Sequence, residues 1–171
     1  RLERARVFGN LNSYLPKDVA RDIAFSLPSS SVNAQRRDVT LLSADLRNFA
    51  AFTEARPPEE IAALLHFFLT RVTKIIEERG GKIQEFRGDG ILAMWESASC
   101  ATAERALQAA ATLQSSVSDS LLIEGAKLGL EPLALGVGIE QGPVMIGSIG
   151  PAHGRSYTVL GDTVSITLRI Q

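Results

Sequence analysis

The sequence predicts an α+β domain, an antiparallel-rich sheet with helices packed on one face. Three observations carry this. Short runs rich in strand formers, bounded by polar or glycine-containing segments, read as strands. Two long stretches, at 58–78 and about 100–117, repeat apolar residues with the helical period. The resulting order, β-α-α-β-β-α-β-β-β, is that of a ferredoxin-like sheet. A chain of 171 residues with 45% hydrophobic content can bury about two thirds of its unfolded surface in a single core.

Residues 1–25 read as two helical pieces broken around Gly9 to Pro16, and SLPSSSVNAQRRD reads as a polar linker. Residues 1–37 are thus expected to be a helical lead-in and linker, and 38–171 the domain proper. VTLLSAD is the first buried strand, with a helix beginning soon after Asp45. In 58–78, Ile61, Leu64, Leu65, Phe68, Val72, Ile75 and Ile76 line one helical face, and the glycines at 80 and 81 end the helix. KIQEF and ILAMW form a hairpin closed by RGDG. The second long helix sets Ala103, Ala106, Leu107, Ala110, Leu113 and Val117 on one face. Strands LALGVGI and VMIGSIG follow, joined by a turn at EQGP; then come a loop PAHGR, a strand SYTVL and a helix opening at GDTVSITLRIQ. The start at Arg1 and the stop within that helix point to a piece of a longer protein.

Several function classes lose their footing. A net charge of -1 gives no basic footprint for nucleic acid. No run approaches the roughly eighteen apolar residues of a membrane span, and no signal peptide pattern opens the chain. The lone Cys100 has no disulfide partner or metal-ligand spacing; it reads as a small core residue in a reducing compartment. Gly136, Gly138 and Gly142 miss the dinucleotide fingerprint, and no P-loop, GxSxG or HExxH pattern occurs. These glycines read as places of close strand approach and turning. His66 and His153 lack a second ligand at metal spacing and read as solvated.

Two carboxylates remain. Asp45 ends an apolar strand, where an ordinary helix N-cap also calls for Asp; Asp89 sits between glycines at a hairpin tip, where turns favour Asp. Taken together, a strand-end and a hairpin-tip aspartate on adjacent strands can converge on a hard cation. Mg²⁺ is commonly held by one or two carboxylates plus substrate phosphates. Two such ions activate an attacking oxygen and stabilise a leaving one, which is phosphoryl-transfer chemistry.

In this order and spacing, LLSADLRNF, EFRGDGILAMW, GVGIEQGPVMIGSIG and SYTVLGDTVSITLR resemble the catalytic domain of bacterial class III adenylate and guanylate cyclases, over about residues 38–171. FGNLNSYLPKDVARDI resembles the segment joining N-terminal sensor modules to that domain. The resemblance implies the class III nucleotidyl cyclase fold and a head-to-tail homodimer with two composite sites. Each site would hold two Mg²⁺ or Mn²⁺ ions and turn ATP or GTP into a 3′,5′-cyclic nucleotide and pyrophosphate for signal transduction. Asp45 and Asp89 match the metal-binding aspartates, and Leu46 a main-chain metal contact. Asn48 and Phe49 match the backbone that cradles the phosphates. Arg169 matches the arginine that stabilises the transferred phosphate from the opposite subunit. The resemblance further implies a cytoplasmic domain, more strands and a phosphate-binding lysine beyond Gln171, and a sensor module ahead of Arg1. Membrane attachment of the full-length protein stays open.

Two positions depart from the simplest pattern. Where the family orients the ribose with Asn, this chain has Ser165, with shorter reach and one hydroxyl. Glu85 matches the purine reader, and a carboxylate there suits the N1-H and N2-H₂ donors of guanine. Thr158, its expected partner, matches adenylate cyclases, and its hydroxyl serves as donor or acceptor. The base stays open, with Glu85 leaning to GTP. A rival reading is a catalytically weak or inactive cyclase-like domain that binds nucleotide or dimerises as a regulatory module. A diguanylate cyclase is disfavoured by the absence of a GGDEF-like turn.

Overall fold

The computed structural model describes residues 20, 33–54, 56–119, 133–150 and 156–171. The expected lead-in helices (apart from the buried Ala20), the PAHGR loop and His153 lie outside the described residues. Five strands form one antiparallel sheet: β1 (Asn33–Arg47), β2 (Lys82–Arg87), β3 (Gly90–Trp95), β4 (Ala134–Ile149) and β5 (Ser156–Leu160). Among the described residues it is accompanied by α1 (Phe49–Glu54), α2 (Pro58–Glu77), α3 (Cys100–Thr112) and α4 (Asp162–Ile170). The strand order is β2-β3-β1-β4-β5, with β1 central. Asp45 pairs with Gly90 on one side of β1 and with Gly136 on the other.

Two of the expected boundaries shift. Residues 33–38, read as linker, extend β1, because β4 offers a hydrogen-bonding partner as far as Asn33 while the side chains of Gln35 to Asp38 stay exposed. The expected turn at EQGP is absent, and β4 runs straight through it. Pro143 brings no N–H, but β5 pairs only from Met145 onward, so no donor is needed on that side. The Pro143 carbonyl instead accepts the Thr163 hydroxyl at 2.8 Å, tying β4 to the start of α4.

Alternation along the strands sends two apolar sets to opposite faces. Leu42, Ala44, Leu46, Ile91, Ala93 and Trp95 pack with Phe68, Val72 and Ile76 of α2 and Ala106 and Ala109 of α3. Full burial of Phe68 or Leu42 contributes on the order of 2–3 kcal/mol each, which outweighs the weak intrinsic preference of either segment. The Trp95 indole N–H donates to the Arg79 carbonyl at 2.9 Å, fixing the end of α2 to β3. On the other face Val39, Leu41, Leu92, Met94, Val144, Ile146 and Val159 pack with Val164 of α4. Helices therefore cover both faces, not one, since the last helix folds back over β1 and β4.

The helix at 100–117 forms, with a π turn over Leu113–Val117, but its buried stripe differs in detail. Leu107 is exposed and Ala109 takes the core position. Cys100, expected in the core, is exposed in the first turn of α3, because Ser99 and Thr102 form a capping box that sets the helix phase. No described helix is long and apolar enough to cross a membrane. The sheet curls strongly enough that its edge strands, β2 and β5, come close to one another.

Candidate functional site

Alternation at the end of β1 buries Ala44 and Leu46 against the helices and turns Asp45 to the opposite face. Across the strand pair stands Gly90, where a side chain would begin 2.9 Å from Asp45 Oδ1. The absence of that side chain is what leaves room for the carboxylate. Asp89 occupies the β2–β3 tip, one residue earlier. Burial pushes the Asp45 carboxyl above its ordinary range, and the neighbouring Asp89 charge pushes the same way, against smaller opposing effects of Arg47 and the Leu46 N–H.

Among the described residues, neither aspartate forms an ion pair with Lys or Arg. No third carboxylate, His or Cys among the described residues joins them into a larger ligand group. Two adjacent, half-buried carboxylates are the donor set of a hard cation that takes its remaining oxygens from water and phosphates, so the residues present fit Mg²⁺ or Mn²⁺. Leu46, 2% exposed as a residue, has an apolar side chain, so only its main chain has an atom that could act as a ligand. Asn48 then turns the chain at φ 63°, a conformation Asn tolerates better than most residues, and its carbonyl accepts the Phe52 N–H at 3.1 Å. Phe49 begins α1 there, so the first-turn N–H groups of that helix, which have no intrahelical acceptor, follow the aspartate directly.

This arrangement predicts a metal-linked stability with a definite pH sense. A carboxyl raised by folding carries no penalty where both states are protonated, and a growing penalty as pH rises through its folded value. Mn²⁺ held by Asp45 would remove that penalty by pairing the ionised form. In thermal denaturation at pH 7, Mn²⁺ at about a hundred times its Kd is expected to raise Tm by roughly 5–10 °C, less at pH 5, and Asp45→Asn should show almost no shift. Equal shifts in wild type and variant would separate the metal from Asp45.

Glu85 and Thr158 lie elsewhere. A β-bulge between Ile83 and Glu85 shifts the register by one, so Glu85 pairs with Leu92 instead of the core-facing Ile91. The bulge therefore turns Glu85 onto the face that carries Asp45 and α4. Its carboxylate is ion-paired with Arg87 at 2.9 Å. Thr158 is half-buried on β5, the opposite edge in pairing order, which the curl of the sheet brings back towards β2. Sequence reasoning assigned Arg87 no task, although i, i+2 spacing on a strand is the signal that two side chains share a face.

Among the described residues, Arg169 forms no ion pair with either aspartate. α4 buries Thr163, Val164 and Thr167 and leaves Ser165 and Arg169 exposed one turn apart, with Arg169 Nε donating to the Ser165 carbonyl at 3.3 Å. The seat of α4 had gone unnoticed in the sequence. Ser43, buried in mid-strand, donates to the Thr167 carbonyl at 2.9 Å, and a side chain at Gly138 would begin 2.3 Å from the same oxygen. Gly138 serves close approach of helix to sheet, as expected of these glycines, but the neighbour is a helix and not a strand.

The model of the adenylate and guanylate cyclase catalytic domain matches residues 32–171. The chain belongs to that family. Its cyclase fold agrees with solved relatives: the guanylyl cyclase Cya2 superposes with a TM-score of 0.70 at 34% identity, over 80% of this chain and 70% of that one. An adenylate cyclase of Anabaena cylindrica is 33% identical over 81% of this chain and 28% of its own length. Adenylate cyclase 1 of Rhizobium meliloti (strain 1021) is 29% identical over 92% and 24%, respectively. The chain thus spans about a quarter of the length of these curated relatives.

Proposed function

We propose that this domain converts ATP or GTP into the 3′,5′-cyclic nucleotide and pyrophosphate, at sites shared between two copies of the chain. The observation that carries the reading is a division of labour. Asp45 and Asp89 converge beside the Asn48 turn, whereas Ser165 and Arg169 stand on an exposed helix face with no described carboxylate to pair with. No ion pair links the two groups within one protomer among the described residues, and a head-to-tail pair would set one copy's Arg169 and Ser165 against the other's aspartates.

In the reaction the substrate 3′-oxygen attacks the α-phosphorus, the bond to the bridging oxygen of the β-phosphate breaks, pyrophosphate leaves, and the 3′-hydroxyl proton is released. Divalent ions held by Asp45, Asp89 and the Leu46 carbonyl would supply charge neutralisation and a more acidic 3′-hydroxyl. The Asn48–Phe49 turn positions the phosphates through backbone N–H groups. Arg169 of the second copy bears on the charge that develops on the α-phosphate, where a preorganised cation acts without reorganisation cost. Ser165 reaches the ribose directly or through water, and Glu85 faces the base.

The test is cyclic-nucleotide formation from each triphosphate with Mn²⁺, for wild type and Glu85→Lys. Wild type is expected to favour GTP, and the lysine variant to move the GTP/ATP ratio of kcat/KM towards ATP by at least about tenfold, because lysine donates where guanine also donates. An unmoved ratio would remove Glu85 from the base site. Ser165 supports a second reading, a nucleotide-binding regulatory module with weak or no turnover; tight binding of either triphosphate without cyclic product would favour it.

A further inference from the structure

Arg87 has no part in the chemistry above, yet it makes the most specific contact that Glu85 has. Its Nε lies 3.0 Å and its Nη2 2.9 Å from the same carboxylate oxygen, Oε2. Both donors converge on one oxygen, so Oε1 keeps its lone pairs for another partner. The pair is exposed, 37% for Arg87 and 40% for Glu85, and pairs of that exposure contribute little to stability. Its effect is on conformation. A free glutamate samples many rotamers, and one held by a planar fork is ordered before a ligand arrives. The bulge beside Ile83 brings both residues onto one face, Glu85 opposite Leu92 and Arg87 opposite Gly90.

We propose that Arg87 is a positioning residue for purine selection, holding Glu85 by Oε2 so that Oε1 is presented to the N–H edge of guanine. The inference rests on the reading of Glu85 as the base-facing residue. Adenine has no N1-H donor to offer this carboxylate, so the contact of Arg87 with Glu85 acts on GTP and leaves ATP nearly untouched.

The experiment compares wild type, Arg87→Ala, Arg87→Lys and Glu85→Lys in steady-state kinetics with GTP and ATP. The dissociation constants of α,β-methylene analogues of both nucleotides are measured by calorimetry, which does not depend on turnover. Arg87→Ala is expected to raise KM and Kd on the guanine side about five- to tenfold, with kcat for GTP within about twofold and the adenine constants within about twofold. Arg87→Lys should recover most of the loss, since an ammonium still pairs with Oε2, whereas a merely structural role would lower stability and damage both substrates alike. If Glu85→Lys shifts the preference and Arg87→Ala does not, or if Arg87→Ala weakens both nucleotides equally, the positioning role fails and the base reading stands. If Glu85→Lys leaves the preference unchanged, or neither analogue binds, the base reading fails and takes the inference with it.

Discussion

Alanine at Asp45 or at Asp89 is expected to lower cyclic-nucleotide formation by at least about a thousandfold, because either change would remove half of the proposed two-carboxylate cation site. The expected size follows from the chemistry. Neutralising phosphate charge and activating the attacking oxygen lower the barrier by several kcal/mol, and about 4 kcal/mol corresponds to a factor near a thousand. Stability should move the other way. Asp45 is disfavoured in its ionised form by burial and by Asp89, so without metal Asp45→Ala is expected to be at least as stable as wild type at pH 7. Loss of activity together with an unchanged or higher Tm separates a catalytic defect from unfolding. Activity within tenfold of wild type in either variant would overturn the metal assignment. Glu85, on the same face, is not expected to compensate, since it pairs with Arg87 and stands on a different strand.

The second large effect is structural and lies at Gly138. A methyl there would begin 2.3 Å from the Thr167 carbonyl oxygen and 3.0 Å from the Gln171 nitrogen, both backbone atoms that no rotamer change relieves. Overpacking of this kind typically costs about 1–3 kcal/mol for one carbon and more for a branched side chain. Gly138→Ala is therefore expected to lower Tm by roughly 3–10 °C, and Gly138→Val to lower it further or prevent folding. Activity should fall beyond what the stability loss explains, because Ser165 and Arg169 ride on α4, and a displacement of about 1 Å in positioned groups can cost a hundredfold. Circular dichroism and thermal denaturation read the first effect and turnover of the folded alanine variant the second. An alanine variant with unchanged Tm would mean that α4 does not sit on this contact.

The Asp45 neighbourhood was legible because its information is local. An apolar strand that ends in Asp and a glycine-flanked Asp on the next hairpin need only strand alternation and turn chemistry to be placed, and the structure puts them on paired strands at Asp45 and Gly90. The long helix at Pro58–Glu77 and the β2–β3 hairpin were legible for the same reason, since periodicity and turn residues act over a few positions. EQGP was misleading. Gly and Pro suggest a turn wherever no partner is known, and here β1 pairs continuously through that stretch. Residues 33–38 likewise read as linker from their polarity, although strand pairing needs backbone groups and not apolar side chains.

The sequence by itself determined the amphipathic faces that build the core, the family whose motifs these are, and the two aspartates proposed as a cation site. The tertiary structure alone decided which groups meet. A one-residue bulge sets the face that Glu85 occupies, and a buried Ser43 with a bare Gly138 seats α4. That seating leaves Ser165 and Arg169 exposed, with no ion pair from Arg169 to either aspartate among the described residues. The reason is physical: alternation and helical period fix directions within one element, whereas register, bulges and helix seating arise from contacts between residues that lie, as with Ser43 and Thr167, 124 positions apart.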